Sequence, residues 1–383
     1  MKNKAKILKL LQLVNTLKAE FASKMFIFAD RLLTQTYPAL CKLLTTKVMD
    51  ILCRIICVFL VAASLAVPRH AGAAELRASN YHYTGGVKNG KQNGYGICRY
   101  NNGNVYCGHW KMGYKDGLGR MDFADGTIEF GTWKQGIFQN PKGKKFVAGK
   151  KVYGIDVSKY QKKIDWTRLQ LNADASGNVV AGSGRNVRFR QPVLFALMKS
   201  TQGTTIVDPT FRYNFSEAKR AGIIRGAYHF LSISSSAREQ AEYFIANTPL
   251  EEGDFPPVLD LEIPKKVMAK NHAKVIRIAK EWLRIVEEHY GVRPIIYTYN
   301  NYYIDYLKGH GLDDYDYWIA RYGNKPSVRH WEIWQFTETG KCKGINHNVD
   351  INLFRGNYRD LKKYVEKNGI GKKAVRGRRS NNR

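Results

Sequence analysis

Residues 257–262 read Pro257-Val258-Leu259-Asp260-Leu261-Glu262. The short apolar run has the composition of a buried strand, and two carboxylates two residues apart close it. Moving outward, comparable segments recur at Val152–Val157, Val193–Lys199, Ile223–Phe230, Arg293–Tyr299, Tyr317–Ala320, Glu332–Gln335 and Val349–Leu353. Helical patterns lie between several of them. Asp208-Pro209 reads as an N-cap followed by a first-turn proline, and Ser236 with Glu239 as a capping box. Val275, Ile278, Ala279, Trp282 and Val286 recur at helical spacing and are expected in the core. Eight strands with interleaved helices predict an α/β barrel of TIM-like type over residues 152–364.

In such a barrel the chemistry sits at the C-terminal strand ends. The acidic residues fall there: Asp156 on the first strand, Asp260 and Glu262 on the fourth, and Asp350 on the eighth. Side chains two apart on a strand share a side, so Asp260 and Glu262 are both expected to face the barrel mouth. Clustered carboxylates repel, which keeps one protonated near neutral pH. A carboxylic acid beside a carboxylate is the equipment for cleaving a glycosidic bond. A lone acid at a strand end is more often a solvated cap. Several at several strand ends, ringed by aromatics, carry more weight.

Ahead of the barrel, glycine recurs at a fixed step of 23: Gly85, Gly108 and Gly131, and again Gly90, Gly113 and Gly136. Val87, Trp110 and Trp133 share one slot of this period, and Tyr83 and Tyr106 another. Such a period means stacked supersecondary units. Asn102-Gly103 and Asp125-Gly126 are hairpin-turn signals, so residues 78–140 are expected to form a small all-β repeat module. The run from Tyr106-Cys107-Gly108-His109-Trp110 to Gly117-Leu118-Gly119 resembles the MORN repeat. A turn centred on Asn102-Gly103 would set Cys98 opposite Cys107, where an oxidising compartment would close a disulfide; a one-residue slip would separate them.

The net charge is +30, with 44% hydrophobic and 25% charged residues. A charge of that size points to an anionic partner such as cell wall, membrane lipid or nucleic acid. Ile55 to Val67 is an uncharged apolar run, preceded by Lys42, Lys47 and Arg54 and followed by Ala71-Gly72-Ala73. That pattern reads as an export signal, making residues 1–73 a leader and the protein periplasmic or extracellular. Beyond it remain 51 basic and 29 acidic side chains, a net +22. Residues 141–151 read as a basic linker and 365–383 as a basic disordered tail. No recognised nucleic-acid fold accompanies the charge, so no nucleic-acid partner is expected. Wall or membrane contact through the repeats and tail is the alternative use for it.

Taken in order, the motifs resemble the glycoside hydrolase family 25 lysozymes. They are Gly154-Ile155-Asp156-Val157-Ser158, Ile164-Asp165-Trp166, Lys199-Ser200-Thr201-Gln202-Gly203 with Asp208-Pro209, and Gly226-Ala227-Tyr228-His229-Phe230. Asp260-Leu261-Glu262, Tyr297-Thr298, Trp318-Ile319-Ala320, Trp334-Gln335-Phe336 and Val349-Asp350-Ile351-Asn352 complete the set. The resemblance implies a flattened (β/α) barrel that hydrolyses the β-1,4 bond between N-acetylmuramic acid and N-acetylglucosamine in peptidoglycan, with no metal or cofactor. It casts Glu262 as general acid and Asp260 as the group assisting a water or the substrate's acetamido group. Asp156 and Asp350 complete the acidic floor, and Tyr228, Tyr297, Trp334 and Gln335 contact the substrate. Two departures stand out. Gln202 occupies a position where many members carry Glu, and residues 169–191 look like an insertion. The competing reading is a catalytically inactive peptidoglycan-binding protein.

Overall fold

The computed structural model describes residues 73–139, 150–180 and 186–371. Residues 1–72 of the leader expected over 1–73, most of the 141–151 linker and the tail beyond 371 lie outside the described residues.

The first seven strands form an antiparallel meander in chain order. They are β1 (Ala74–Ala78), β2 (Tyr81–Lys88), β3 (Lys91–Tyr100), β4 (Val105–Lys111), β5 (Tyr114–Asp122), β6 (Ile128–Lys134) and β7 (Ile137–Phe138). The 23-residue step becomes a hairpin step. Asn89-Gly90, Met112-Gly113 and Gln135-Gly136 each hold two consecutive positive φ angles, the geometry of type I′ turns. Tyr83, Trp110, Tyr106 and Trp133 then stack edge-on in sequence, with ring centroids 5.1–5.4 Å apart. Glycine is required under these tyrosines: a Cβ on Gly119 would lie 2.1 Å from the Tyr106 hydroxyl.

The expected pairing of Cys98 with Cys107 is not found. The turn runs through Asn101–Asn104, with Gly103 at φ 83, so Tyr100 N–H donates to the Asn104 carbonyl. That longer loop shifts the register by one: Cys98 faces Tyr106, and Cys107 faces Ile97. A one-residue shift moves a side chain to the other face of the sheet. Both thiols are buried and unbridged.

The barrel begins at β8 (Val152–Val157). After β9 (Gln170–Ala173) and β10 (Phe189–Gln191) come β11 (Phe195–Gln202), β12 (Ile206–Val207), β13 (Ile224–Phe230) and β14 (Val258–Asp260). β15 (Ile295–Tyr299), β16 (Tyr317–Ala320), β17 (Trp331–Gly340), β18 (Cys342–Lys343) and β19 (Val349–Phe354) follow. Eight of these close on themselves in the order β8, β11, β13, β14, β15, β16, β17, β19, with β19 returning to β8. The first seven run parallel, while β19 is antiparallel to both neighbours.

Among the described residues, full helices cover three crossovers: α1 (Phe211–Arg220), α2 (Ala237–Asn247) and α3 (Lys265–Tyr290). The Ser236–Glu239 capping box opens α2. The expected α3 stripe, including Val275, Trp282 and Val286, is buried. Asp208 does not cap α1, whose N-cap is Thr210. Its buried carboxylate instead accepts the Thr210 and Lys159 amide hydrogens, tying the β12–α1 loop to the turn after β8. The closing helix α4 (Tyr358–Asn368) runs past residue 364 and buries Val365. Within the 169–191 insertion, β9 and β10 pair and add β18 as a third strand.

The repeat sheet packs on the barrel at the loop that precedes β13. Tyr95 donates from its hydroxyl to the Ala221 carbonyl at 2.9 Å, and Arg120 donates to the Gly222 carbonyl at 2.9 Å. Arg120 also forms a buried pair with Asp122 at 2.7 Å, and the Tyr358 hydroxyl donates to Asp122 at 3.0 Å. This loop sits at the N-terminal strand ends, so the repeats dock opposite the barrel mouth.

Candidate active site

Because β19 runs backwards, its start meets the C-terminal ends of the parallel strands. Asp350, the second residue of β19, therefore lies across the ladder from Asp156, the penultimate residue of β8. The two carboxyls hydrogen-bond. Burial is the main cause that raises Asp156 to about 6, even though Asn352 and Gln335 donate to it at 2.8 and 2.9 Å. Burial followed by the Asp156 charge raises Asp350 to about 9. At neutral pH Asp350 is thus the protonated partner and Asp156 the carboxylate.

Asp260 ends β14, and Glu262 lies two residues beyond, past the end of the strand. Leu261 N–H still donates to the Tyr297 carbonyl, which keeps the backbone extended through the pair. The environments of the two acids differ. Asp260 is buried, its Oδ1 has no hydrogen-bond partner among the described residues, and burial followed by the Glu262 charge raises its pKa far above the usual range. Glu262 is half-buried and held at about 7, chiefly by burial. It heads an open cleft of about 550 Å³ shared with Tyr299, Asn300, Arg321 and Tyr322.

Lys199 on β11 supplies a cation to this acidic floor. Its ammonium donates to Gln202 Oε1 at 2.7 Å, lies 4.6 Å from the centre of the Phe230 ring, and lowers the pKa of both Asp260 and Glu262. Its hydrogen-bond partner Gln202 is neutral, so its field falls on Asp260 and Glu262.

The aromatics sort by depth. Tyr228 and Tyr297 are buried against Trp318, with ring centroids 5.9 and 4.3 Å away, so they form the floor beneath the carboxyls. Trp334 is half-buried and donates its indole N–H to the Arg321 carbonyl at 2.6 Å. Gln335, expected at the substrate, is 2% exposed. Its amide nitrogen serves Asp156 and Asp350, and its oxygen accepts from the Tyr297 and Tyr322 hydroxyls. Both ends of its amide are thus engaged by the carboxyls and the two tyrosines.

The exposed rings beside Glu262 are Tyr299 and Tyr322, 40% and 41% exposed, neither singled out by the sequence reading. The strand-end rule that found the acids would have found them too, since Tyr299 ends β15 and Tyr322 follows β16 by two residues. Asn352 was also missed as a site residue. It is fully buried and bridges Asp156 to the Trp318 indole at 2.8 and 2.7 Å.

The profile of glycosyl hydrolases family 25 matches residues 155–345, and the MORN repeat matches residues 83–105 and 106–128. Over 218 residues the chain is 35% identical to the uncharacterized protein YegX of Escherichia coli K12, covering 56% of this chain and 74% of that protein. It is 31% identical over 221 residues to lysozyme M1 of Streptomyces globisporus, covering 54% of this chain and 68% of that one. Among solved structures, a family 25 glycosyl hydrolase from Bacillus anthracis aligns at 30% identity with a TM-score of 0.45. That alignment spans 56% of this chain and 93% of the other.

Proposed function

The chain belongs to glycosyl hydrolases family 25, and from that premise we propose that it is a lysozyme cutting the β-1,4 bond after N-acetylmuramic acid in peptidoglycan. The observation that carries this reading is the contrast between Glu262 and Asp260. Glu262 stands near neutrality at an open cleft, and Asp260 is buried beside it with an unmatched oxygen.

A general acid works best with a pKa near the working pH, which fits Glu262 to protonate the leaving glycosidic oxygen. Asp260 begins largely protonated. A donor such as the substrate's acetamido N–H, filling Oδ1, would stabilise the ionised form and leave the shared proton on Glu262. Ionised Asp260 then supports the positive charge that develops at the sugar, whether the acetamido group or a water attacks. Asp156 and Asp350 share one proton below them and contribute one negative charge. Tyr299 and Tyr322 offer rings to the sugar faces, with Trp334 at the edge.

Export through the 1–73 leader would bring the enzyme to its polymer. The repeats would add a wall or membrane contact on the side away from the cleft. There Tyr114 and Ile137, 60% and 68% exposed, flank the type I′ turns beside Lys111 and Lys134.

Digestion of purified peptidoglycan, borohydride reduction and mass spectrometry of the products tests the bond assignment. Fragments ending in reduced muramic acid are expected. Reduced glucosamine ends would keep a hydrolase but overturn the bond.

A further inference from the structure

Helix α3 starts at the cleft, with Lys265 beside Glu262, kinks at Asn271 and continues down the outside of the barrel to Tyr290. Its inner face is apolar and buried. Its outer face carries Lys270, Lys274, Arg277, Lys280 and Arg284, all exposed and spaced by three or four residues, so they form one stripe. Only Arg284 has an acidic partner, Glu288; the other four pair with no carboxylate among the described residues. Like charges at this spacing repel and do nothing for the helix.

Beside the stripe, Gly309-His310-Gly311 forms a low wall, both glycines at positive φ and with open space where a Gly309 side chain would stand. Between wall and helix lies a groove of about 900 Å³ lined by His272, Arg277, Lys280, Arg284 and His310. His272 donates Nε2–H to the Tyr306 carbonyl at 2.8 Å, and its ring meets His310 edge-on at 4.4 Å, which fixes the end of the groove. Glu281 is the one acid in the lining. A concave surface lined by one sign of charge concentrates the opposite charge.

We propose that this groove is an accessory binding site for the carboxylate-bearing peptide stems of the wall polymer whose glycan occupies the catalytic cleft. The proposal rests on the lysozyme reading for its polymer. Geometry favours this occupant. Beyond the kink at Asn271 the stripe from Lys274 to Arg284 spans about 15 Å of helix, and Lys270 carries it toward the cleft, so a strand seated at Glu262 can lay neighbouring stems along it. Guanidinium forks suit carboxylates, and the concavity accepts a peptide rather than a flat bilayer.

The test uses the full chain and the double variant Arg277→Glu/Lys280→Glu, with thermal melting to confirm an unchanged fold. Substrates are intact peptidoglycan and the same glycan strands stripped of peptides by an amidase. On intact wall the variant should show KM raised about tenfold with kcat unchanged. On stripped strands it should match the parent, and the difference should vanish near 1 M salt, where the Debye length is about 3 Å. Equal loss on both substrates, or no loss on either, would overturn the proposal. Sedimentation with the two walls reads the groove independently of cleavage. A parent that cuts nothing but pellets with intact wall better than the variant does would refute the lysozyme reading and keep the groove. Loss of binding to phosphatidylglycerol vesicles with wall binding intact would overturn the peptide stem as ligand.

Discussion

Asp350 sits directly across the β8–β19 ladder from Asp156 and hydrogen-bonds to it, so a half-buried and a buried carboxyl share one proton beneath Asp260 and Glu262. This follows from the reversed direction of β19, which places the start of the last strand at the barrel mouth. Asp350 is the neutral partner at pH 7, so Asp350→Asn should keep the hydrogen bond and retain activity within about tenfold. Asp350→Ala leaves the Asp156 charge without that partner, and activity should fall about a hundredfold or more. Initial rates of wall lysis by the two variants check this.

Stability should fall as pH rises through the same cluster. Asp156, Asp350 and Glu262 are raised to about 6, 9 and 7, against about 4 in the unfolded chain. The native state therefore binds more protons than the unfolded state over this range, and stability declines with increasing pH. The contribution is intact near pH 4 and lost by about pH 9. Thermal melts across that window should show a shallower decline for Asp350→Asn than for the parent.

Activity should peak between the Asp156 and Glu262 transitions, at about pH 6 to 7. The Lys199 cation favours the ionised form of Glu262, so Lys199→Met should raise the Glu262 pKa and move the basic limb upward. A pH profile of kcat/KM reads the shift. A role for Lys199 confined to packing would lower the profile without displacing it.

Arg120→Ala should destabilise the protein by about 3–5 kcal/mol, because it strands the buried Asp122 charge between the repeat sheet and α4. Tyr358→Phe, which removes one hydrogen bond to the same carboxylate, should cost about 1 kcal/mol. Urea unfolding separates the two.

The barrel was legible because its strands are short, apolar and well punctuated. Val152–Val157 and Tyr317–Ala320 match β8 and β16 residue for residue. Direction was not legible: nothing in Val349–Leu353 reveals that β19 runs antiparallel, since alternation is the same either way. The Cys98–Cys107 register failed on one loop residue, a choice made by Gly103 in the left-handed region. Asp208 carried a helix-cap signal but was recruited by Lys159, a partner 49 residues away. Among site residues, the acids were found because their chemistry is explicit. Gln335, Asn352 and Lys199 act through what they touch, and contacts across 179 or 196 residues of chain leave no local pattern.

The most direct test of Glu262 as the general acid compares the parent with Glu262→Gln on purified peptidoglycan, following release of reduced muropeptides. A loss of at least about a hundredfold in kcat is expected, with the variant folded and still sedimenting with the wall. A variant that releases the same fragments at the parental rate would contradict it and remove Glu262 from the role of acid.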